Sequence, residues 1–111
     1  MPLYMTQFSN TPEAWAALTR NPEDRSQAVS RLAEQLGTRL VSFYYSFGDY
    51  DGVVITEAPD DVTAAAAVLA SVSAGHIKAV KTVPLLTVDQ AMEAMRKAGS
   101  ATFRAPGQSG D

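Results

Sequence analysis

The apolar and polar positions of this chain fall into a short series of clear periods. From Leu3 to Phe8, Tyr4, Thr6 and Phe8 alternate with Leu3, Met5 and Gln7, the period-two pattern of a strand. Thr11-Pro12-Glu13 then supplies a capping oxygen, a proline at the first helical position and an acid in the first turn, which predicts a helix from Pro12 to about Arg20. Asn21-Pro22-Glu23-Asp24 repeats the signal and predicts a second helical piece from Pro22 to Leu36, paired or continuous with the first through a kink. In that piece Val29, Leu32, Ala33 and Leu36 form one apolar stripe, and Gly37 stands where a helix ends.

Thr38 to Phe47 reads as a long strand with Val41, Phe43, Tyr45 and Phe47 on one face and Leu40, Ser42, Tyr44 and Ser46 on the other. The turn Gly48-Asp49-Tyr50-Asp51-Gly52 joins it to a strand at Val53-Val54-Ile55-Thr56, making a hairpin in which Gly48 and Gly52 are expected to hold backbone conformations costly for other residues. Ala58-Pro59-Asp60-Asp61 opens a helix with Val62, Ala65, Ala66 and Leu69 on one side, closed by Gly75. Ile77 to Leu86 is a fourth strand, and Pro84 within it predicts an edge position or a bulge. Thr87-Val88-Asp89-Gln90 is a capping box for a last helix carrying Val88, Ala91, Met92 and Met95 on one side and ending at Gly99.

The order β, α, β, β, α, β, α predicts an α+β domain, a ferredoxin-like βαββαβ unit with an extra C-terminal helix. Residues 1–99 form the domain and residues 100–111 a flexible tail. Helices cover one face of such a sheet. The second strand carries large side chains on both faces and Val53, Val54 and Ile55 are consecutive, so the other face is expected to be covered too. With no chain left over for a second layer, a second copy is the expected cover, through residues such as Leu40, Tyr44, Val53 and Ile55.

Composition narrows the function classes. A chain of 111 residues is one domain, with 46% hydrophobic and 19% charged residues, a globular balance. A net charge of −3 with scattered basic residues argues against a nucleic-acid partner. The absence of cysteine removes disulfides, thiolate nucleophiles and Cys-based metal sites. No signal-peptide pattern opens the chain and no apolar run could span a bilayer, so a cytoplasmic protein without membrane association is expected.

The hairpin carries a family resemblance. Phe43-Tyr44-Tyr45, then Gly48-Asp49-Tyr50-Asp51-Gly52-Val53-Val54 and Glu57-Ala58-Pro59-Asp60-Asp61, resembles the GYD-domain family over nearly the whole chain to about Met95. The resemblance implies a ferredoxin-like fold and a dimeric α/β-barrel assembly, a homodimer or a higher oligomer built from dimers. It implies no chemistry.

The candidate ligand-binding residues are Trp15, Tyr45, Tyr50, Asp51 and His76. Tyr50 is large for a turn, and Asp51 beside it ordinarily serves local backbone. His76 is the only histidine and the only side chain that ordinarily titrates near neutrality. Trp15, Phe43, Tyr44, Tyr45 and Phe47 form an aromatic set able to line an apolar pocket between sheet and helices, with Trp15 and Tyr45 as walls against the first helical segment; the same spacing also suits plain core. Glu57 and Asp51 lie at opposite ends of one strand, about 20 Å apart, so no carboxylate site forms from them. No catalytic residue, cofactor or metal is predicted. A binding protein for a small apolar molecule is the leading expectation. The alternative is a small monooxygenase, since dimeric α/β-barrels include cofactor-independent quinol oxygenases and haem-degrading enzymes. In the haem-degrading group an Asn, a Trp and a His surround the substrate, and Asn10, Trp15 and His76 are the residues available here, with Trp15 on a helix where the group has a strand.

Overall fold

The computed structural model describes residues 1–107. Its elements are β1 (Leu3–Asn10), α1 (Pro12–Arg20), α2 (Arg25–Leu36), β2 (Arg39–Tyr45), β3 (Gly52–Glu57), α3 (Asp61–Ser73), β4 (Ile77–Leu85) and α4 (Val88–Gly99). Side-chain caps set the helix starts. Thr11 Oγ1 accepts from the Ala14 N–H at 3.1 Å, and Asp60 Oδ1 from the Thr63 N–H at 2.8 Å. Thr87 and Gln90 close the predicted reciprocal box at 3.1 and 2.8 Å. The second helix starts later than its pattern suggests. Asp24 is its cap, accepting from the Ser26 N–H at 3.0 Å, while the Asn21 N–H donates back to the Ala17 carbonyl and closes α1. Pro22 and Glu23 therefore lie in the link, where the pattern had placed the first turn of α2.

The strands form one sheet in the order β2-β3-β1-β4 with every neighbouring pair antiparallel, the ferredoxin-like arrangement. Pairing fixes the faces. Thr6 opposes Val54 and Thr82, and Phe8 opposes Gly52 and Val80, so these residues with Tyr4 look toward the helices. Met5 opposes Ile55 and Val83, and Leu3 opposes Leu85, on the face the helices leave open. Tyr44 pairs with Val53 on that open face, and Phe43 and Tyr45 stand on the helix side. An irregularity between Leu40 and Ser42 takes Val41 out of the pairing and sets Leu40 opposite Thr56. Leu40 thus belongs to the helix side rather than with Tyr44, because one unpaired residue reverses the parity of all that precede it. Pro84 sits on edge strand β4, as its missing N–H demands.

The buried core is small: Tyr4, Phe8 and Val54 from the sheet, Ala33 from α2, Ala64 from α3, and Ala58. Helix α3 turns Ala64, Ala67, Val68 and Ser71 inward and leaves Val62 and Leu69 outside, 79% and 65% exposed. Val62, Ala65, Ala66 and Leu69, which share a side, are thus not the side that packs on the sheet. A helix with apolar residues on most sides gives periodicity little to choose between, and packing turns the Ala64, Ala67 and Val68 side to the sheet.

The C-terminal helix α4 has no buried residue. The molecule measures 65 Å along its longest axis, with a radius of gyration of 18.6 Å where a compact domain of this length has about 13 Å. Of the expected tail, 100–111, Ser100 caps α4 and residues 108–111 lie outside the described residues.

The two hairpin glycines differ. A Cβ on Gly52 would meet Phe8 Cζ at 2.6 Å and the Tyr44 carbonyl oxygen at 2.9 Å, whereas a Cβ on Gly48 meets nothing within 4 Å. Neither has a positive φ; the residue in the left-handed region is Phe47, at φ 54. The expected backbone cost at both glycines is thereby replaced by a steric requirement at one. Gly52→Ala should cost about 1–3 kcal/mol through overpacking against Phe8, and Gly48→Ala should stay within about 0.5 kcal/mol of the parent. Urea unfolding of the two variants checks the contrast.

Candidate functional site

Small side chains on α3 leave a space above the sheet. A cavity of about 230 Å3 lies between the helix-facing side of the sheet and helices α2 and α3, with Phe8, Phe43, Val54, Val29, Leu32 and Val68 among its apolar walls. Ala64, Ala67, Ala70 and Ala74 contribute one carbon each along the α3 side, where larger residues would have filled it. Its polar lining consists of Thr6, Thr56 and Thr82 on the strands, Thr38 before β2, Ser71 on α3, and the groups at its two ends. At the end where β1 finishes and β4 begins stand Asn10, Arg25, Tyr45 and His76. At the other, the Tyr4 hydroxyl donates to Asp61 Oδ1 at 2.6 Å. That bond, with burial next, pushes the Tyr4 hydroxyl up to about 12.

His76 reaches the wall because its carbonyl accepts from the Thr11 N–H at 2.9 Å, which fastens the start of β4 to the start of α1. Burial first, and the charge of Arg25 second, hold its imidazole below the ordinary value, so it is neutral at neutral pH. Burial likewise pushes the Tyr45 hydroxyl up. Arg25 is also bridged to Glu23 at 2.8 Å, in a partly exposed pair.

Asp51 works beside the cavity rather than in it. Its Oδ2 accepts from the Trp15 indole N–H at 2.8 Å and from the Asn10 N–H at 2.9 Å, while its own N–H donates to the Phe8 carbonyl at 2.8 Å. The Trp15 bond is the main cause holding the Asp51 carboxyl below its usual range; the Asn10 N–H and Lys78 add to it and burial opposes. Trp15 in turn lies 5.6 Å from Tyr45 and 5.4 Å from Phe47, ring centre to ring centre, and Tyr45 stacks on Phe47 at 5.8 Å.

Of the five candidates, Tyr45 and His76 line the cavity. Trp15 and Asp51 meet each other outside it. Tyr50 is half-buried in the turn, where its carbonyl accepts from the Gly48 N–H and the Ser46 hydroxyl, and it does not line the cavity. Trp15 is therefore no wall of the cavity, and Leu18 is the contribution of α1. Within the aromatic set only Phe43 and Tyr45 face the space, since Tyr44 looks to the opposite side of the sheet. Asn10 and His76 share the wall, but the indole N–H that would complete a haem-type trio is engaged by Asp51. Arg25 and the Tyr4–Asp61 pair went unmarked in the pattern; the latter joins residues 57 apart, which no local spacing signals. Among the described residues no three His, Cys, Asp or Glu side chains are grouped to hold a metal ion, and no helix is long and apolar enough to cross a membrane.

A ferredoxin-like α+β domain with a largely apolar, partly open cavity between sheet and helices is the class these features define. The GYD domain model matches residues 4–95, and the chain belongs to the GYD-domain family. A Thermus thermophilus protein described as "Glutamine synthetase and cystathionine beta-lyase binding protein" is 33% identical over 78 residues, which is 70% of this chain and 82% of that one. Among solved structures, TTHA0845 from Thermus thermophilus superposes with a TM-score of 0.53 at 16% identity, over 79% of this chain and 96% of that one. MtbAldR superposes at 0.53 and 15% identity over 78% of this chain; the match spans about half, 52%, of MtbAldR. These two likenesses are of fold.

Removing the Asp51 carboxylate strands the buried Asn10 N–H, so Asp51→Ala should lose about 1–3 kcal/mol and shift Trp15 emission. Because the folded carboxyl titrates below its ordinary 3.8, its stabilisation is present above that value and lost as pH falls through the lowered one. Asp51→Asn should flatten the acid limb of the stability profile, measured by unfolding between pH 2 and pH 5.

Proposed function

We infer that this protein is a non-catalytic binding protein that holds a small apolar molecule in the cavity between the sheet and helices α2 and α3, and that it does so as a homodimer closed through the open sheet face. The cavity carries this reading. An alanine-lined space of about 230 Å3 between the sheet and the helices of so small a domain is of the size that suits a single substituted carbon ring or a short chain. Tyr45, His76 and Asn10 offer donors and acceptors at one end, enough to orient a molecule with one polar group. No nucleophile with its base lies there, which favours binding over turnover.

The dimer reading rests on the open face. Leu3, Met5, Val53, Ile55, Val83 and Leu85 share one side of the sheet that no helix covers, with exposed Tyr44 beside them, and a contiguous apolar surface of that kind is rarely left in water. The assembly that the family resemblance implies is of the same kind. Docking on a larger enzyme is a second reading, favoured by the description of the Thermus relative as a binding protein for two enzymes; the same open face would serve it.

Native mass spectrometry of the purified chain tests the ligand, with hexan-1-ol and benzyl alcohol as added probes in a thermal-shift series. A retained small molecule, or a rise in melting temperature with either probe that Ala67→Leu abolishes, is expected. Absence of any bound mass and of any shift with both probes removes the cavity reading. Sedimentation equilibrium tests the dimer: the parent should be dimeric at micromolar concentration and Ile55→Asp should dissociate it, since a charge cannot be buried unpaired in that face. A folded monomeric parent removes the dimer reading.

A further inference from the structure

The surface of this chain is too large for a compact monomer. It exposes 7729 Å2, where a folded chain of 11.8 kDa exposes about 5900 Å2, an excess of about 1800 Å2. Part of it belongs to residues 100–107, which are all exposed, and two apolar features add to it. One is α4, whose Val88, Met92 and Met95 lie along one side at helical spacing and are 77%, 43% and 67% exposed. The other is a groove of about 490 Å3 on the helix-facing side of edge strand β4, where α3 stands off and leaves Leu69, Ala65, Val80 and Pro84 as apolar lining. No residue of α4 lies in that groove.

A helix of 12 residues does not hold together in water on its own propensity, and this one is built to be a helix: a complete capping box at Thr87 and Gln90, an acid in its first turn, and Arg96 and Lys97 in its last. Its stability has to come from an apolar surface that accepts its stripe. Every copy of the chain carries both such a stripe and such a groove. Reciprocal exchange between two copies fills both grooves and closes under a two-fold axis with no stripe left over, and the excess exceeds the roughly 800 Å2 that a standard interface buries from each partner.

We propose that α4 is an exchanged arm whose Val88, Met92 and Met95 stripe packs into the α3–β4 groove of a second copy of this chain. The groove shares Tyr4, Ala64, Val68, Val80 and Thr82 with the cavity, so the partner's arm closes one side of it. The arm is a surface separate from the open sheet face, and the two can stand or fall independently.

The chain has no cysteine, so a pair placed at exposed positions reports the contact without interference. The test is the full-length double variant Leu69→Cys/Met92→Cys treated with a short bis-maleimide, with sedimentation equilibrium of the untreated protein alongside. Arm exchange predicts a covalent dimer as the main product, several-fold above either single variant, and a dimer dissociation constant raised at least about tenfold by Met92→Asp. A linked monomer would mean that α4 folds onto its own groove, and overturns the proposal. So does a chain that is dimeric but unlinked and indifferent to Met92→Asp, which leaves the sheet face as the sole interface; a monomeric parent overturns both.

Discussion

One carboxylate ties together the parts of this fold that its strands alone would leave loose. Asp51 stands in the hairpin turn between β2 and β3, accepts from the end of β1 through the Asn10 N–H and from α1 through the Trp15 indole, and gives its own N–H to the Phe8 carbonyl. The turn, the last residues of the central strand and the first helix are thereby held in one place. The aromatic run from Phe8 through Phe43 and Tyr45 to Trp15 and Phe47 packs along the same line. A charged acceptor with two N–H donors is stronger than a neutral one, and here it also satisfies a buried backbone group. Asp51 in the Gly48–Gly52 turn thus has a structural role.

The cavity has a different origin. It follows from the choice of alanine on the inward side of α3, which brings backbone close to the sheet at Ala64 and leaves room further along. A domain of this length has little core to spare, and its fully buried positions are few.

Seen this way, the apolar surfaces of the molecule form one problem with several parts. The open sheet face, the stripe on α4 and the groove beside β4 are each too apolar to face water, and the two edges of the sheet, β2 and β4, carry unpaired backbone besides. Pro84 removes one donor from the β4 edge, and the irregularity at Val41 breaks the regularity of the β2 edge. Such devices discourage unlimited strand addition at the sheet edges.

What the amino-acid order alone determined is what local chemistry controls. The caps at Thr11, Asp60 and Thr87 reach only two or three residues ahead, the alternation in β1 and β3 reads directly as strand, and Pro84 can sit only at an edge, so these were legible and stand where expected. The Gly48–Val54 turn was legible in the same way, and it marked the family. Tertiary structure decided the rest. One unpaired residue in β2 moved Leu40 across the sheet, and the mostly apolar surface of α3 let packing choose a face that periodicity could not. The partners of Asp51 and Tyr4 lie up to 57 residues away, so the residues that frame the site are brought together by strand order alone. Trp15 went to Asp51 and away from the cavity for the same reason: a hydrogen bond to a carboxylate outweighs a place in an apolar wall, and only the folded chain brings the two within reach.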